Sequence, residues 1–285
     1  MIAVVKPGLL TTVQDLGRAG YAHLGVARSG ALDAPALARA NALVGNPPTD
    51  AGLETTLTGV TLRAEAAVTV AVCGAPARIL VDGVPVPFDA AVSVDEGSVL
   101  EVGPAISGVR SYLAVAGGIR VASVLGSRST DTLSGLGPPP LRAGFVLPVG
   151  TATSTVDPVV PDARPMPDEG QEVTVRVRLG PRHDWFSASA RDALLALPYV
   201  LSVKSNRVGA RLTGPPLTRA VHDELPSEGI VLGAVQVPAD GQPLIFLADH
   251  PTTGGYPVIA VVEGQDLPLL AQARPGTAIR FVPWT

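Results

Sequence analysis

Glycine and proline interrupt this chain so often, 31 and 28 times in 285 residues, that long regular elements have little room to form. Between the breakers lie short apolar runs rich in valine, a residue that suits the pleated, half-buried surface of a sheet. The pattern predicts a mainly β protein with a few short helices, organised as two β-rich subdomains. Apolar residues make up 46% and charged residues 16%, so the chain can build a core and is not disordered as a whole.

Some elements are specific enough to place. Asp33 is suited to cap a helix whose first turn holds Pro35 and whose face carries Leu37, Ala40, Asn41 and Val44; Gly45 and Pro47-Pro48 end it. Short strands are expected over 68–72, 77–81 and 99–102, with Asp82-Gly83 as a two-residue hairpin turn. The clean alternation of Val173 to Leu179 predicts a strand, a helix is expected over 187–197, and strands over 230–237 and 244–247. A short helix near 267–273 and a strand at 278–282 follow. Pro158, Pro161, Pro165 and Pro167 mark 151–170 as a linker between a subdomain at 1–150 and another at 171–285, with 1–60 able to pack against the second.

Several function classes fall away. A net charge of −4 with scattered arginines offers no footprint for nucleic acid. No apolar stretch is long enough for a membrane helix, and the N-terminus lacks the basic start of a signal peptide. The single cysteine, Cys73, cannot form an intramolecular disulfide, and its apolar surroundings read as a buried thiol in a cytoplasmic protein. Neither Lys6 nor Lys204 follows a glycine, so no P-loop exists, and there is no Gly-x-Ser-x-Gly elbow. The four histidines are scattered, which argues against a zinc site, and no lysine has the setting of a biotin carrier.

Four polar stretches carry candidate chemistry. The loop Asp249-His250-Pro251-Thr252-Thr253-Gly254-Gly255-Tyr256 offers hydroxyls, glycine N–H groups and a carboxylate; it reads either as a cradle for a carbonyl or anion or as a capped tight turn. Asp15, Arg18, Arg28 and Ser29 lie in a second stretch, as fixed cations for an anion or as a solvated ion pair. Arg207 and Arg211 lie in a third, with the same two readings. The fourth, Gly126-Ser127-Arg128-Ser129-Thr130-Asp131, is an anion nest or a hydroxyl-rich loop.

The order and wording of these stretches are more specific than any one of them. Thr12-Val13-Gln14-Asp15-Leu16-Gly17-Arg18, Ser29-Gly30-Ala31-Leu32-Asp33, Glu54, Tyr112 to Gly118, Leu125 to Asp131, Ser205 to Leu212, Gly233 to Pro238 and Thr252 to Pro257 occur in sequence. Together they resemble the family of KipA, the 5-oxoprolinase C subunit, allophanate hydrolase subunit 2 and the carboxyltransferase part of urea carboxylase. The resemblance implies a cyclophilin-like β-barrel and a place in an ATP-dependent (Mg-assisted) complex that cleaves 5-oxo-L-proline to L-glutamate. A partner resembling KipI, the B-type component of 5-oxoprolinase, and an A-type component of the LamB/YcsF kind would complete it. Allophanate or urea-amide chemistry, or KipA-like binding of a KipI-type kinase inhibitor, are the alternatives. On this reading Arg18, Arg207 and Arg211 hold developing negative charge, and Asp15 and Asp249 polarise or accept protons. Thr252, Thr253, Gly254 and Gly255 form the cradle, with Arg28, Ser29, Gln236 and Tyr256 contacting substrate. His250-Pro251 departs from the family pattern before the first threonine.

Overall fold

A computed structural model describes residues 1–152, 160–163, 166–167 and 170–284. Much of the expected linker at 151–170, including Pro158 and Pro165, lies outside the described residues. The chain divides into two compact units, one of Met1–Arg18 with Ser29–Met166, the other of Ala19–Arg28 with Pro167–Thr285. Of residues 1–60, the segment Ala19–Arg28 therefore belongs to the second unit and the remainder to the first.

The first unit is built from β1 (Ile2–Lys6), β2 (Leu10–Gln14), α1 (Ala34–Leu43), β3 (Gly52–Thr56), β4 (Val60–Ala64), β5 (Val68–Gly74), β6 (Ala77–Val81), β7 (Val84–Val86), β8 (Val92–Val94), β9 (Val99–Ala105), β10 (Arg110–Val115) and β11 (Val146–Leu147). One sheet runs β11-β1-β4-β9-β6-β7 and the other β2-β3-β10-β5-β8. A shared core holds Val4, Leu62, Ile79 and Leu100 of the first sheet with Leu53, Val70, Val72 and Leu113 of the second. Strand β5 has no polar face because both of its faces are covered. Val70 and Val72 join the core between the sheets, while Ala71 and Cys73 pack with Ala40 and Val44 beneath α1. Asp33 caps α1 as expected, its carboxylate accepting from Ala36 N at 3.1 Å. The Asp82-Gly83 turn joins β6 to β7 with φ of 50° and 79°, as a type I′ hairpin requires.

The second unit contains β12 (Val173–Leu179), α2 (Ala188–Ala196), β13 (Tyr199–Leu201), β14 (Gly209–Thr213), β15 (Glu228–Gly229), β16 (Ala234–Gln236), β17 (Leu244–Phe246), β18 (Thr253–Gly254), β19 (Val258–Val262), α3 (Leu267–Gln272) and β20 (Ala278–Pro283). Seven of these strands close a barrel in the order β12-β19-β16-β17-β14-β13-β20. Closure is made by the parallel pair β12 and β20, with Val175 opposite Phe281. Val175, Tyr199, Val235, Ile245, Ile259, Ile279 and Phe281 are fully buried. This is the mainly β, cyclophilin-like barrel expected, with three short α-helices among the described residues.

One expected element divides. Residues 230–237 do not form a continuous strand, because Gly233 turns the chain at φ 83° between β15 and β16. A side chain there would also meet the Val262 carbonyl at 2.8 Å, so the break is built into the barrel's packing. β15 leaves the barrel and pairs with β18 in a separate two-stranded ribbon.

Burial pushes the Cys73 thiol up, helped by its 3.0 Å hydrogen bond to Asp89 Oδ1. Because only the thiolate is reactive, the native protein is expected to leave a thiol-specific reagent unconsumed at pH 8. One equivalent should react once the chain is unfolded in urea.

Candidate functional site

In the first unit the polar residues at the end of β2 converge on the loop 127–131. Asp15 is buried, and its carboxylate takes four donors: Gly17 N at 2.8 Å, Ser127 Oγ at 2.6 Å and Ser129 Oγ at 2.6 Å on Oδ1, and Arg128 N at 2.6 Å on Oδ2. The hydroxyl-rich loop is thus a nest for a carboxylate, and the carboxylate it holds belongs to the chain itself. Ser29, at φ 55°, donates from Oγ to the Thr130 carbonyl at 3.0 Å.

Arg18 is only 2% exposed, yet no carboxylate pairs with it among the described residues. Its Nη2 donates to Ser129 O and its Nε to Val124 O, while Nη1 has no hydrogen-bond partner. Asp15, the acid nearest to it in sequence, is occupied by the nest. Gln14 Oε1 and Thr130 Oγ1, both buried, also lack partners. Buried polar atoms are satisfied in most native proteins, and each one left open costs about 1–3 kcal/mol, so three of them, on Gln14 and Arg18 at the end of β2 and on Thr130 of the facing loop, single this region out as a candidate site.

A second buried constellation in this unit fixes the turn that carries Ser29. Glu54 Oε2 accepts from Leu32 N at 3.0 Å and from Tyr112 Oη at 2.8 Å, and Tyr112 Oη accepts in turn from Asp33 N at 2.8 Å. Arg110 pairs with the other Glu54 oxygen at 3.5 Å. Burial, together with the nearby Glu54 and Asp33 charges, pushes the Tyr112 hydroxyl up, so it stays a neutral donor.

In the second unit Arg207 and Asp249 meet each other. Both are buried, and they form a two-pronged pair, Nε to Oδ2 at 2.9 Å and Nη2 to Oδ1 at 3.0 Å. Thr253 and Gly254 form β18, paired with Gly229 and Glu228, and neither Gly254 nor Gly255 has a positive φ. The segment is therefore a short ribbon with its backbone partly engaged. Gln236 Nε2 steadies it by donating to Tyr256 O at 2.9 Å, and Arg219 lies 5.7 Å from the Tyr256 ring. Thr252 is half-buried, and Thr253, Gly255 and Tyr256 are exposed. Arg211 is exposed on β14, and Arg28 is exposed in the segment 19–28.

Asp15, Arg18 and Ser29 thus come together in one unit; Arg207 with Asp249, and Gln236 with Tyr256, come together in the other. Sequence reasoning passed over Gln14, Thr130 and the Glu54–Tyr112–Arg110 group as site residues. A signal for Gln14 existed: β2 carries Thr11, Thr12 and Gln14 in five residues, and all three are buried. A strand with polar residues on buried positions is either internally bonded or completed by a ligand.

The chain matches the carboxyltransferase domain family, subdomains A and B, over residues 24–283, and it belongs to that family. Within it, the chain is 39% identical over 285 residues to the 5-oxoprolinase C subunit of Escherichia coli (strain K12), covering 99% of this chain and 91% of that one. The crystallised protein TTHA0988 matches at 39% identity with a TM-score of 0.88, over 99% of this chain and 55% of that chain. Kluyveromyces lactis urea amidolyase matches at 30% identity with a TM-score of 0.90, over 100% of this chain and 19% of the enzyme. The chain spans about half the length of the first of these structures and about a fifth of the second.

No group of three His, Cys, Asp or Glu side chains converges on a metal position among the described residues. Of the buried carboxylates at the candidate sites, Asp15 and Asp249 are already bonded within the chain. Neither of these two carboxylates is therefore open to a magnesium-bound nucleotide. No helix among the described residues is long and apolar enough to cross a membrane.

The Arg207–Asp249 pair gives a direct test of its structural weight. Arg207→Ala leaves a buried, uncompensated carboxylate and is expected to cost about 3–5 kcal/mol in urea unfolding, whereas Arg211→Ala at its exposed position should change stability by less than about 0.5 kcal/mol.

Proposed function

We propose that this chain is one component of a cytoplasmic, ATP-dependent complex that hydrolyses 5-oxo-L-proline to L-glutamate, inactive without its partners. The observation that carries the reading is Arg18, a buried cation with an open Nη1 and no carboxylate to neutralise it among the described residues. Whole-length likeness to a 5-oxoprolinase component supports it. In lactam hydrolysis the ring C–N bond breaks, water supplies the new carboxyl oxygen, and the freed nitrogen takes a proton. Negative charge builds on the amide oxygen before the bond breaks. A guanidinium N–H held ready in a dry site stabilises that charge without reorganising. The Asp15 nest keeps the loop in place, so its role is to position Ser129 and Thr130 around Arg18.

The nucleotide and its magnesium belong, on this proposal, to a KipI-like (B-type) partner or to a LamB/YcsF-like (A-type) one. In the second unit, Thr253, Gly255 and Tyr256 are exposed beside the half-buried Thr252 on a segment held by the buried Gln236, a surface suited to substrate or to a partner. A urea-type amide is the second reading, favoured by the match of the whole chain to a module of urea amidolyase.

The test is ATP-dependent glutamate release from 5-oxo-L-proline by this chain with its two partners, each omitted in turn. Activity should require all three, and Arg18→Met should lower kcat at least about 100-fold in the assembled complex, the scale for removing one donor to a developing oxyanion. An assembled complex that leaves 5-oxoproline untouched but consumes ATP with urea would replace this reading by the second.

A further inference from the structure

We infer that Gln14, Arg18 and Thr130 form a recognition site for the paired N–H and C=O of a secondary amide. The inference rests on the function proposed above and adds the polarity of the site, together with two specificity-determining residues, Gln14 and Thr130.

The three open atoms are tied to two consecutive residues. Gln14 Nε2 donates to Thr130 O at 2.9 Å and lies 3.0 Å from Thr12 Oγ1, and Arg18 Nη2 donates to Ser129 O. A carbonyl oxygen only accepts, so the amide nitrogen of Gln14 must face Thr130 O, and the end left open is its oxygen. Gln14 Oε1 is consequently an obligatory acceptor. Arg18 Nη1 is an obligatory donor, and the Thr130 hydroxyl donates or accepts.

That combination discriminates between ligand classes. A carboxylate or phosphate presents only acceptors, which would satisfy Arg18 and Thr130 and set negative charge against Gln14 Oε1. A lactam presents both polarities within one amide group: its N–H bonds to Gln14 Oε1, and its oxygen receives Arg18 Nη1 and Thr130 Oγ1. An ester or lactone of the same shape leaves Gln14 Oε1 unpaired, and sites built around a substrate N–H reject analogues that lack it.

The turn Thr132–Gly135 that follows the loop is exposed, and Leu136 and Gly137 after it are half-buried. Gly137 has φ 83°, and a side chain on it would lie 2.1 Å from Ser129 O and 3.1 Å from Arg18 Nη2. The backbone of this turn is therefore pressed against the loop and the guanidinium, and the open atoms are closed from solvent. A ligand enters by displacing it.

The test compares 5-oxo-L-proline with its lactone counterpart, in which oxygen replaces the ring N–H. Binding is followed by calorimetry, on the chain and on the assembled complex, with turnover measured in the complex. Wild type should bind the lactam at least about tenfold more tightly than the lactone. Thr130→Val should weaken lactam binding roughly tenfold without lowering the ligand-free Tm, because the hydroxyl it removes has no partner in the protein. Gln14→Met should bring the two ligands to within about twofold. Lactam turnover by wild type, with unchanged affinity in Thr130→Val and unchanged lactam preference in Gln14→Met, overturns the inference and leaves the proposed function standing. Absence of lactam binding and turnover in wild type defeats the proposed function; urea is then the probe, and an affinity for urea that is nil or unaffected by Thr130→Val overturns the inference as well.

Discussion

The Asp15 carboxylate organises the first unit's polar region, because it draws donors from two stretches more than a hundred residues apart. Gly17 N comes from its own turn, and Ser127, Arg128 and Ser129 supply the rest. A carboxylate with four donors has little freedom to reorient. Two consequences follow. The Ser129 and Thr130 carbonyls are presented to Arg18, Gln14 and Ser29. Arg18 is also deprived of the acid that its position in the sequence most readily suggests as a partner, and it remains a buried cation in search of negative charge.

Arg18 and Arg207 make an instructive pair. Both are almost completely buried, and both sit beside small residues. Arg207 is neutralised by a two-pronged bond to Asp249 within the barrel unit. Arg18 is held by backbone carbonyls alone, which orient a guanidinium without cancelling its charge. The difference between the two settings lies in what the neighbouring carboxylate does. Residue types alone do not separate these two settings.

The fold is legible in the sequence where local physics dominates. The alternation in β12, the Asp33 cap and the Asp82-Gly83 turn each obey a rule that operates within a few residues, and each stands where that rule places it. The single strand expected over 230–237 fails because its apolar run continues straight through Gly233; only the approach of the Val262 backbone requires the turn there. In β5, the lack of alternation is explained by a helix on one side and a second sheet on the other, a fact that no window of the sequence contains.

By itself, then, the sequence determined the class of architecture, the caps and hairpins, and the set of polar stretches from which any site would be drawn. These depend on propensity, periodicity and turn chemistry, which act over short distances along the chain. The tertiary structure alone decided which of those polar residues are spent on each other. Asp15 with the loop 127–129, Arg207 with Asp249, and Gln236 with Tyr256 are bonded pairs at separations of 20 to 114 residues. Whether a buried group is satisfied depends on atoms brought within about 3 Å, and that is a property of the folded chain, not of residue identity. Gln14, Arg18 and Thr130 became distinctive only when every other partner nearby had been accounted for.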